Sequence, residues 1–578
     1  MSECLDCVVI GYNEMPFNEY ERLLSQYGRD AEAYRDLQFS FVDVEGRKMD
    51  YMGLLNYVFD LAGASPANDQ FKSCDIPNLA AVYLDHFLRV RGHRSVYINL
   101  FQHEREEFAR YLKEFDPLCV AITTTFYVMN FPVTEMISFI REHNPRTKII
   151  IGGPLVANHA RNFQGHDDDE EIEKPKVVSL RGRNAAGPAV EHLDAEFAAA
   201  LDDLGADIYV NESQGELTLA RLIECLKRGA NLAEVPNIIY NDGAGLRATA
   251  RLPESNSLDE CFIDWRIYSE RSLGPTLQTR TARSCAFNCS FCNYPTRAGK
   301  LTLASLDTLE RELDAMHSLG YVKNVVFIDD TFNVPLPRFK EICRLMIDKK
   351  YGFNWFSYFR CSNSDEEAIE LLAESGCKGV FLGIESGSPT ILQNMNKAAT
   401  VEKYVRGMEM LHRFGVVTFA SLIMGFPGET DDTVAETVDF IRETKPDFYR
   451  AQLWYCENGT PIERQRDKYG ISGEGFVWKH ATMDSLEAMD HIDRAFLTIK
   501  ESTWLPQWSF DFWAIPYLLG LGISIPQLKA LMAEAHRLLT LEIAAVPAAE
   551  KSVLGQAYLH NMVRAAAGNF GELKACAR

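Results

Sequence analysis

The segment Ser284-Cys-Ala-Phe-Asn-Cys-Ser-Phe-Cys-Asn293 contains three closely spaced cysteines, Cys285, Cys289 and Cys292, in the pattern C-x3-C-x2-C. Three thiolates on so short a loop can hold three irons of a four-iron cluster and leave the fourth iron without a protein ligand. Such an open iron can bind and reduce a substrate, whereas a cluster with four thiolates serves electron transfer. A zinc site is the alternative, but it normally uses paired C-x2-C or Cys/His halves, and no second pair is near. The segment therefore predicts chemistry at an iron–sulfur cluster.

Around this segment, short β-branched runs alternate with amphipathic helical patterns between about residues 276 and 456. Six such strand–helix units predict a partial (β/α)6 barrel of the TIM type, with functional residues at the carboxyl ends of its strands. The cysteine segment directly follows the first strand, which puts the cluster on that rim. The predicted strands are Leu277–Ala282, Asn324–Ile328, Asn354–Phe359, Gly379–Ile384, Val417–Met424 and Phe448–Trp454.

The cysteine spacing resembles the signature loop of the radical S-adenosylmethionine (SAM) enzymes. Gly383-Ile-Glu-Ser-Gly387 and Met424-Gly-Phe-Pro-Gly-Glu429 also look like recurrent segments of that superfamily. The resemblance implies that the open iron chelates the amino and carboxylate groups of SAM. It further implies that the reduced cluster cleaves the sulfonium C–S bond to give a 5′-deoxyadenosyl radical.

Residues at the predicted strand ends suit the polar groups of SAM. A guanidinium can bind a carboxylate through two hydrogen bonds, and a carboxylate can accept from an amine or from ribose hydroxyls. The resemblance to radical SAM enzymes suggests Arg360 near the SAM carboxylate, Glu385 near the ribose or amine, and Met424-Gly425 near the adenine. Each residue taken singly could also be a strand-end cap or part of a surface ion pair. The full set of predicted SAM contacts is Phe291, Asp330, Arg360, Glu385, Ser386, Met424 and Gly425.

The first 245 residues also alternate strands and helices, which predicts an α/β, doubly wound, Rossmann-like parallel sheet. Ligands bind such sheets at the carboxyl ends of the strands. The order of the strand-end segments resembles the cobalamin (B12)-binding domain found upstream of many radical SAM domains. The predicted strands are Cys7–Ile10, Ser95–Ile98, Val120–Thr124, Lys148–Ile151 and Ile208–Val210.

Hydroxyl side chains and glycines at these strand ends are the candidate cobalamin contacts. Hydroxyls offer hydrogen bonds, and glycines allow a bulky ligand to approach the backbone. Ordinary turn chemistry of an α/β domain is the alternative interpretation. No Asp-x-His motif occurs in the chain, so a histidine ligand on the lower face of cobalt is not supported. The predicted contacts are Thr123, Thr124, Thr125, Phe126, Gly152, Gly153, Pro154, Glu212, Gly215 and Glu216.

Changes in composition predict the domain boundaries. We expect a cobalamin-binding domain at 1–245 with a charged insertion at about 164–187, a linker at 246–275, and the radical SAM barrel at 276–456. The remaining residues, 457–578, are predicted to form a small α-helical domain. Tyr455 and Cys456, directly after the sixth barrel strand, are candidate catalytic residues on the substrate side.

Bulk composition excludes several classes of protein. The net charge of −22 argues against a nucleic-acid binder, which needs a basic face. No apolar run is long enough to span a bilayer, and the first residues lack the basic region of a signal peptide. The fourteen cysteines are scattered rather than arranged as a disulfide framework, and a cluster loop needs a reducing compartment. We therefore expect a cytoplasmic protein with neither nucleic acid nor membrane as a partner.

The whole layout resembles the cobalamin-dependent (class B) radical SAM methyltransferases of natural-product biosynthesis. The resemblance implies that the adenosyl radical removes a substrate hydrogen, after which methylcobalamin supplies the methyl group to an unactivated carbon or a phosphinate phosphorus. Val8–Glu14 and Tyr34–Phe41 look most like the branch that contains the phosphinate P-methyltransferases. The expected partners are a small-molecule or peptide substrate and a low-potential electron donor of the flavodoxin or ferredoxin type.

Three rival hypotheses remain. The first keeps both cofactors but performs a rearrangement, a cyclisation or an oxidation without methyl transfer. The second is a polar, cobalamin-mediated methyl transfer without an adenosyl radical. The third is a protein that binds SAM and cobalamin only to sense or carry them, and the three intact cysteines argue against it.

Overall fold

The computed structural model describes residues 4–64, 70–72, 75–125, 127, 129–163, 191–193, 195–508 and 510–568. The chain forms two compact units. The first unit contains Met1–Met15 and Asn78–Asp264, and the second contains Pro16–Pro77 and Trp265–Arg578. The predicted insertion at 164–187 and Phe126 lie outside the described residues.

The strands, in chain order, are β1 (Cys7–Tyr12), β2 (Phe41–Val44), β3 (Arg47–Asp50), β4 (Ser95–Leu100), β5 (Cys119–Thr123), β6 (Lys148–Gly152), β7 (Glu191–His192), β8 (Ile208–Val210), β9 (Ile238–Asn241), β10 (Leu246–Ala248), β11 (Thr276–Thr279), β12 (Ala282–Arg283), β13 (Thr302–Leu303), β14 (Asn324–Phe327), β15 (Asn354–Phe359), β16 (Cys377–Glu385), β17 (Val417–Met424), β18 (Phe448–Leu453), β19 (Ser472–Glu474), β20 (Val477–His480), β21 (Met483–Asp484) and β22 (Thr503–Trp504).

The α-helices are α1 (Phe17–Ser25), α2 (Glu32–Gln38), α3 (Tyr51–Leu61), α4 (Leu79–Arg89), α5 (Arg105–Glu114), α6 (Phe131–His143), α7 (Pro154–Phe163), α8 (Ala195–Leu204), α9 (Glu216–Arg228), α10 (Glu270–Leu273), α11 (Tyr294–Ala298), α12 (Leu306–Ser318), α13 (Leu336–Lys349), α14 (Glu366–Glu374), α15 (Pro389–Asn394), α16 (Val401–Arg413), α17 (Asp431–Thr444), α18 (Arg466–Tyr469), α19 (Ser485–Thr498), α20 (Ala514–Gly520), α21 (Ile525–Ile543) and α22 (Ala548–Ala567).

The sheet of the first unit has the order β4-β1-β5-β6-β8-β9-β10-β7. Its first five strands are parallel, and β9, β10 and β7 extend it in the antiparallel sense. Val8, Val9 and Ile10 of β1 are fully buried, because β1 has a parallel neighbour on each side and helices on its faces. The five predicted strands are therefore confirmed as one parallel sheet, whose carboxyl ends lie along one edge.

The second unit is built on a seven-stranded parallel sheet with the order β11-β14-β15-β16-β17-β18-β22. The six predicted barrel strands are adjacent in chain order, and the short β22 adds a seventh. The helices between them bury one apolar face, as Phe339, Ile342 and Met346 of α13 show. The predicted α/β class and the parallel sheet of the radical SAM region are thus confirmed.

Residues 16–77 pack within the second unit, which the sequence did not predict. Helices α2 and α3 and the β2–β3 hairpin pack against C-terminal helices of that unit, including α19, α21 and α22, and α1 packs against α2 and β3. The Trp504 indole donates a hydrogen bond to the carbonyl of Phe39 over 3.2 Å, and the two rings lie 4.8 Å apart. The C-terminal region is mainly helical, but it also contains the small antiparallel sheet β19–β21.

No helix within the described residues combines the length and the hydropathy that a bilayer crossing requires.

Candidate active site

The three predicted cluster ligands lie on the loop between β12 and α11. Cys289 is buried, and Cys285 and Cys292 are partly accessible. The backbone N–H of Cys292 donates to the carbonyl of Cys289 over 3.1 Å. Burial is the main cause that raises the pKa of the Cys292 thiol to about 11, and the charges of Cys289 and Cys285 contribute. The three thiols are therefore close enough to influence one another.

Hydrogen bonds hold this loop against its surroundings. The Ser290 hydroxyl donates to the carbonyl of Asn394 over 2.7 Å. The Asn293 side-chain amide donates to the Glu457 carboxylate over 2.7 Å, which ties the loop to the segment after β18. Such anchors fix the positions of the cysteines before a cluster is bound.

The donor set of the loop fits an iron–sulfur cluster better than a single ion. Among the described residues, no group of three or more His, Cys, Asp or Glu side chains is arranged to hold one metal ion. A cluster needs thiolates, and two cations stand close to the most buried one. Burial raises the pKa of Cys289, while the charges of Lys397 and Arg360 lower it and so favour the thiolate.

Arg360 follows β15 and carries unpaired hydrogen-bond donors. Its guanidinium lies 3.7 Å from the centroid of the Phe287 ring, within the cysteine loop. The side chain is buried, yet Nε and Nη2 have no hydrogen-bond partner. A buried guanidinium without partners is costly, and it is satisfied when a carboxylate binds it. This arrangement fits the predicted contact with the carboxylate of SAM.

Glu385 closes β16 in a strained conformation. Its φ angle of 65° lies in the left-handed region, at a bulge where the register with β17 shifts. The carboxylate accepts a hydrogen bond from Lys397 Nζ over 2.9 Å, and both side chains are buried. Strain of this kind at a non-glycine residue is typical of functional sites. The sequence predicted Glu385 but not its partner Lys397.

The other predicted SAM residues have different surroundings. Asp330 is accessible to water, and desolvation by the surrounding protein, followed by the charge of Asp329, raises its pKa to about 7. Phe291 lies 5.3 Å from Lys397 Nζ. The Ser386 hydroxyl is fully buried and accepts from the backbone of Ser388 over 3.0 Å, so it braces the loop after β16.

Met424 and Gly425 lie at the end of β17 and are enclosed by protein. Met424 is fully buried. Gly425 has a φ angle of 83°, and a Cβ there would collide with the Trp478 ring. The carbonyl of Gly425 lies 3.2 Å from His480 Nε2. Their predicted proximity to the adenine stays a prediction.

Tyr455 and Cys456 follow β18. The Tyr455 side chain is 46% exposed and packs edge-on against Phe476 at 5.1 Å. Cys456 is buried, its backbone pairs with Gly475, and its Sγ lies 3.9 Å from Arg466. Exposure leaves Tyr455 available to a substrate, whereas Cys456 has structural contacts.

The predicted cobalamin contacts in the first unit lie at the strand ends of its parallel sheet. The Thr123 hydroxyl donates to the carbonyl of Gly11 over 2.8 Å, and that of Thr124 donates to the carbonyl of Gly152 over 2.8 Å. These two hydroxyls therefore brace neighbouring strands. Thr125 is exposed on the same edge and is available to a ligand.

Glycines keep this edge open. Gly153 has a φ angle of 108°, and a Cβ there would lie 2.9 Å from the Thr124 hydroxyl. Gly215, the residue directly before α9, has a φ angle of 75°. A backbone without side chains at two neighbouring strand ends fits the close approach of a bulky planar cofactor. Pro154 begins α7 beside Gly153.

The two glutamates near the start of α9 differ in exposure. Glu216 is buried and accepts from the Asn256 amide over 3.0 Å, which gives it a structural contact. Glu212 is partly exposed on the preceding loop, where the Ser213 hydroxyl donates to it over 3.1 Å. Of the two, Glu212 is the more available to a ligand.

Two family models match this chain. Residues 279–441 match the Radical SAM superfamily, and residues 73–174 match the B12 binding domain. An uncharacterized methyltransferase of Pyrococcus horikoshii is 24% identical over 396 residues, which are 67% of this chain and 77% of that protein. The anaerobic magnesium-protoporphyrin IX monomethyl ester cyclase of Rubrivivax gelatinosus is 28% identical over 308 residues, which are 48% of this chain and 54% of that protein.

Among solved structures, the chain resembles the radical SAM methyltransferase TsrM from Kitasatospora setae with cobalamin and a [4Fe-4S] cluster bound. The TM-score is 0.51 at 19% identity, over 69% of this chain and 74% of TsrM, which shows a shared fold. The chain is thus a radical SAM enzyme with a B12-binding domain. More narrowly, the two domains together with the methyltransferase-named relative support a cobalamin-dependent radical SAM methyltransferase, with a [4Fe-4S] cluster, SAM and cobalamin as its cofactors.

Proposed function

We propose that this enzyme transfers a methyl group to an unactivated carbon or a phosphinate phosphorus of a small molecule or peptide in natural-product biosynthesis. When bound, the cluster and SAM supply a hydrogen-abstracting radical, and methylcobalamin supplies the methyl group. The low-potential electron donor would be of the flavodoxin or ferredoxin type, and the reaction would take place in the cytoplasm. The B12-binding domain and the relative named a methyltransferase support methyl transfer over chemistry without it.

One observation carries the proposal for the second unit. Cys289, Arg360 and the Glu385–Lys397 pair lie within electrostatic range of one another, next to the cysteine loop. In our proposal Cys285, Cys289 and Cys292 hold the cluster, and the two unpartnered guanidinium nitrogens of Arg360 bind the SAM carboxylate. Glu385, fixed by Lys397, accepts hydrogen bonds from the amine or the ribose. These contacts orient SAM, and the buried walls exclude water.

Cobalamin would bind at the strand-end edge of the first unit. Thr125, Gly152, Gly153 and Glu212 would contact it, while Thr123 and Thr124 hold the strands in place. The proposed role of these residues is to bind and orient the cofactor. Tyr455 is the proposed substrate-side residue of the barrel.

The test is anaerobic reconstitution with iron, sulfide and cobalamin, followed by incubation with methyl-labelled SAM, a reductant and candidate substrates. We expect both S-adenosylhomocysteine and 5′-deoxyadenosine, with the labelled methyl group in the product. 5′-Deoxyadenosine alone would indicate a rearrangement, a cyclisation or an oxidation, the rival that the cyclase relative favours. S-Adenosylhomocysteine alone would indicate a polar transfer, and the absence of both products would contradict an enzymatic role.

A further inference from the structure

A second arginine, Arg450, lies in the same layer of the barrel sheet as Arg360. The rings of Tyr358, Phe381 and Phe419 contact one another at 4.9 and 4.8 Å, so these three side chains share one face of the sheet, here called the inner face. Because side chains alternate along a strand, the residues two positions further on lie on the same face. Those residues are Arg360, Gly383 and Ser421, and Ser421 pairs in register with Arg450.

Small side chains separate the two arginines. Gly383 and Ser421 fill the positions between them in this layer, and the Glu385 carboxylate takes the place beside Gly383, where a Cβ would lie 2.6 Å from Glu385 Oε1. Tyr358, Arg450 and Gln452 each keep part of their surface accessible to water. Nevertheless, burial lowers the pKa of Arg450 and raises that of Tyr358, which shows that protein surrounds both. These side chains are surrounded by protein but still reached by water, so they line an internal space.

Arg450 has unused hydrogen-bonding capacity in this space. Its Nη2 donates to Gln452 Oε1 over 3.0 Å, and its guanidinium lies 5.9 Å from the centroid of the Phe419 ring. Nε is buried and has no hydrogen-bond partner. Within the part of the chain that the structure describes, no carboxylate lies within ion-pair distance of Arg450. A cation enclosed in this way is costly unless a ligand or a charged partner compensates it.

The segment after β22 closes the space with aromatic side chains. Phe512 packs against Phe381 at 5.7 Å and against Phe419 at 6.0 Å. The Trp513 indole donates to the Tyr358 hydroxyl over 3.2 Å. The space thus combines apolar walls with one cationic group, which is the usual composition of a small-molecule site.

Acidic groups surround Arg450 at longer range. Its charge interacts with those of Asp36, Asp511 and Glu385, and also with the Tyr358 hydroxyl. Asp511 accepts from the backbone of Trp513 over 2.9 Å. The Asp36 carboxylate has no hydrogen-bond partner among the described residues, and burial raises its pKa to about 6 although Arg450 lowers it. Asp36 is therefore the carboxylate that competes with a bound anion for Arg450.

We propose that Arg450 receives an acidic group of the substrate, an oxyanion of the carboxylate or phosphinate type, and thereby selects acidic substrates. This inference rests on the proposed function, since it assumes that the substrate reaches the inner face beside the SAM site. A guanidinium binds such an oxyanion in a bidentate manner, through two parallel hydrogen bonds. The chain carries a net charge of −22, so an acidic molecule needs a local cation to enter.

The experiment measures binding to the reconstituted full chain without turnover. N-acetylglycine represents the carboxylate, methylphosphinate represents the phosphinate, and N-acetylglycinamide is the neutral match. Ligand-observed NMR should show that wild type binds at least one acid about tenfold more tightly than the amide, and the preferred acid identifies the oxyanion. Arg450→Gln should lose about tenfold in affinity for that acid, and Arg450→Lys should lose less.

Arg413→Gln is the matched control, because Arg413 is an exposed residue of α16 that ion-pairs with Glu366. Circular dichroism checks the folding of each variant. If Arg450→Gln does not fold, Asp36→Asn decides, because removal of the competing carboxylate should tighten binding of the acid. Equal binding by Arg450→Gln and wild type, no preference for an acid, or no tightening in Asp36→Asn would overturn the inference.

The same preparations separate this inference from the proposed function. SAM cleavage and methyl transfer are measured on wild type with its substrate. If acid binding depends on Arg450 but no methyl transfer occurs, the acid site is supported and the proposed function is contradicted. If methyl transfer occurs and Arg450→Gln does not change the KM for the substrate, only the acid site is contradicted.

Discussion

At the scale of single residues, the thiols of the cysteine loop have a predicted role that other cysteines of the chain do not share. Substitution of Cys285, Cys289 or Cys292 by alanine should reduce the iron content after reconstitution to near zero and abolish cleavage of SAM, because each thiolate holds one iron. Iron analysis, visible absorption and 5′-deoxyadenosine formation measure these effects. Cys4→Ala is the control, since Cys4 is exposed in the other unit. Full iron content in any of these three alanine variants would contradict the assignment.

Arg360 should affect SAM binding without affecting the cluster. Arg360→Gln removes charged donors from the carboxylate, and we expect SAM affinity to fall by about 2 kcal/mol, or roughly thirtyfold. Equilibrium dialysis of SAM against the reconstituted protein measures this change, and the iron content should stay at the wild-type level. If SAM affinity stays the same while iron is retained, Arg360 is a structural residue only.

His536 should make the stability of the second unit depend on pH. Its Nδ1 accepts from the backbone N–H of Trp504 over 2.9 Å, and burial lowers its pKa from 6.5 to about 4. Because the folded-state pKa is the lower one, the unfolded chain binds more protons between about pH 4 and 6.5. The free energy of unfolding should therefore rise with pH across this window, by up to about 3 kcal/mol, and this contribution is complete above it.

Urea denaturation at pH 5 and at pH 7 measures this dependence through the free energy of the unfolding transition of the second unit. His536→Gln should flatten the slope between the two pH values, since glutamine does not titrate. His560→Gln, a change at an exposed position of α22, should leave the slope as in wild type. An unchanged slope in His536→Gln would assign the acid sensitivity to other groups.

Residue-level prediction from the sequence succeeded where chemistry follows spacing and failed where it depends on contacts. The three cysteines carry their chemistry in C-x3-C-x2-C itself. Lys397 and Arg450 have no such signal, because Lys397 reaches Glu385 from a separate loop and Arg450 is one charge within a strand. The sequence offered one hint for Arg450. It is a single cation within an apolar strand, and the strand pattern places it on the inner face of the sheet.

At the scale of elements, the sequence identified the long buried strands and missed the short paired ones. Runs such as Val417–Met424 are apolar and β-branched because helices or side chains cover both faces. By contrast, β2–β3, β19–β21 and β22 are only two to four residues long, and β22 pairs with the distant β18. Their residues carry no periodic pattern, so only the fold reveals them.

One glycine sets the distance between α16 and the segment after β15. A Cβ at Gly407 would lie 2.7 Å from both the Cβ and the carbonyl oxygen of Cys361. Gly407→Ala should therefore destabilise the second unit by about 1–3 kcal/mol through overpacking, and it should weaken SAM binding because Cys361 adjoins Arg360. Gly555→Ala in α22 meets only one atom, at 3.9 Å, so it should stabilise by up to about 1 kcal/mol. Thermal unfolding of both variants measures the contrast, and equal effects would contradict it.

At the scale of the whole molecule, the chain enters the first unit, leaves it after Met15 and returns at Asn78. Composition could not predict this division, because residues 16–77 look like any other helical and strand-forming sequence. Only contacts with α19, α21 and α22, hundreds of residues later, assign them to the second unit. Whether the predicted boundaries at 245, 275 and 456 describe independent domains stays a prediction.

The division predicts which fragment folds by itself. A Cβ at Gly11 would lie 2.8 Å from Asn78 Cβ, so a short linker can join residues 1–15 to residues 78–264. This fragment should unfold cooperatively and retain cobalamin. Residues 78–264 alone should not, because β1 lies between β4 and β5 and its loss would separate β4 from the rest of the sheet. Circular dichroism and cobalamin absorbance compare the two fragments, and equal behaviour would contradict a central role for β1.

The early exit of the chain from its first sheet has a consequence for synthesis on the ribosome. β1 emerges first, but its neighbours β4 and β5 follow only at residues 95–123, with the α1–α3 region in between. That region in turn waits for α21 and α22 near the end of translation. The apolar surface of β1 is therefore uncovered until β5 has emerged, and that of the α1–α3 region for most of elongation, so we expect chaperones that bind growing polypeptides to protect this chain.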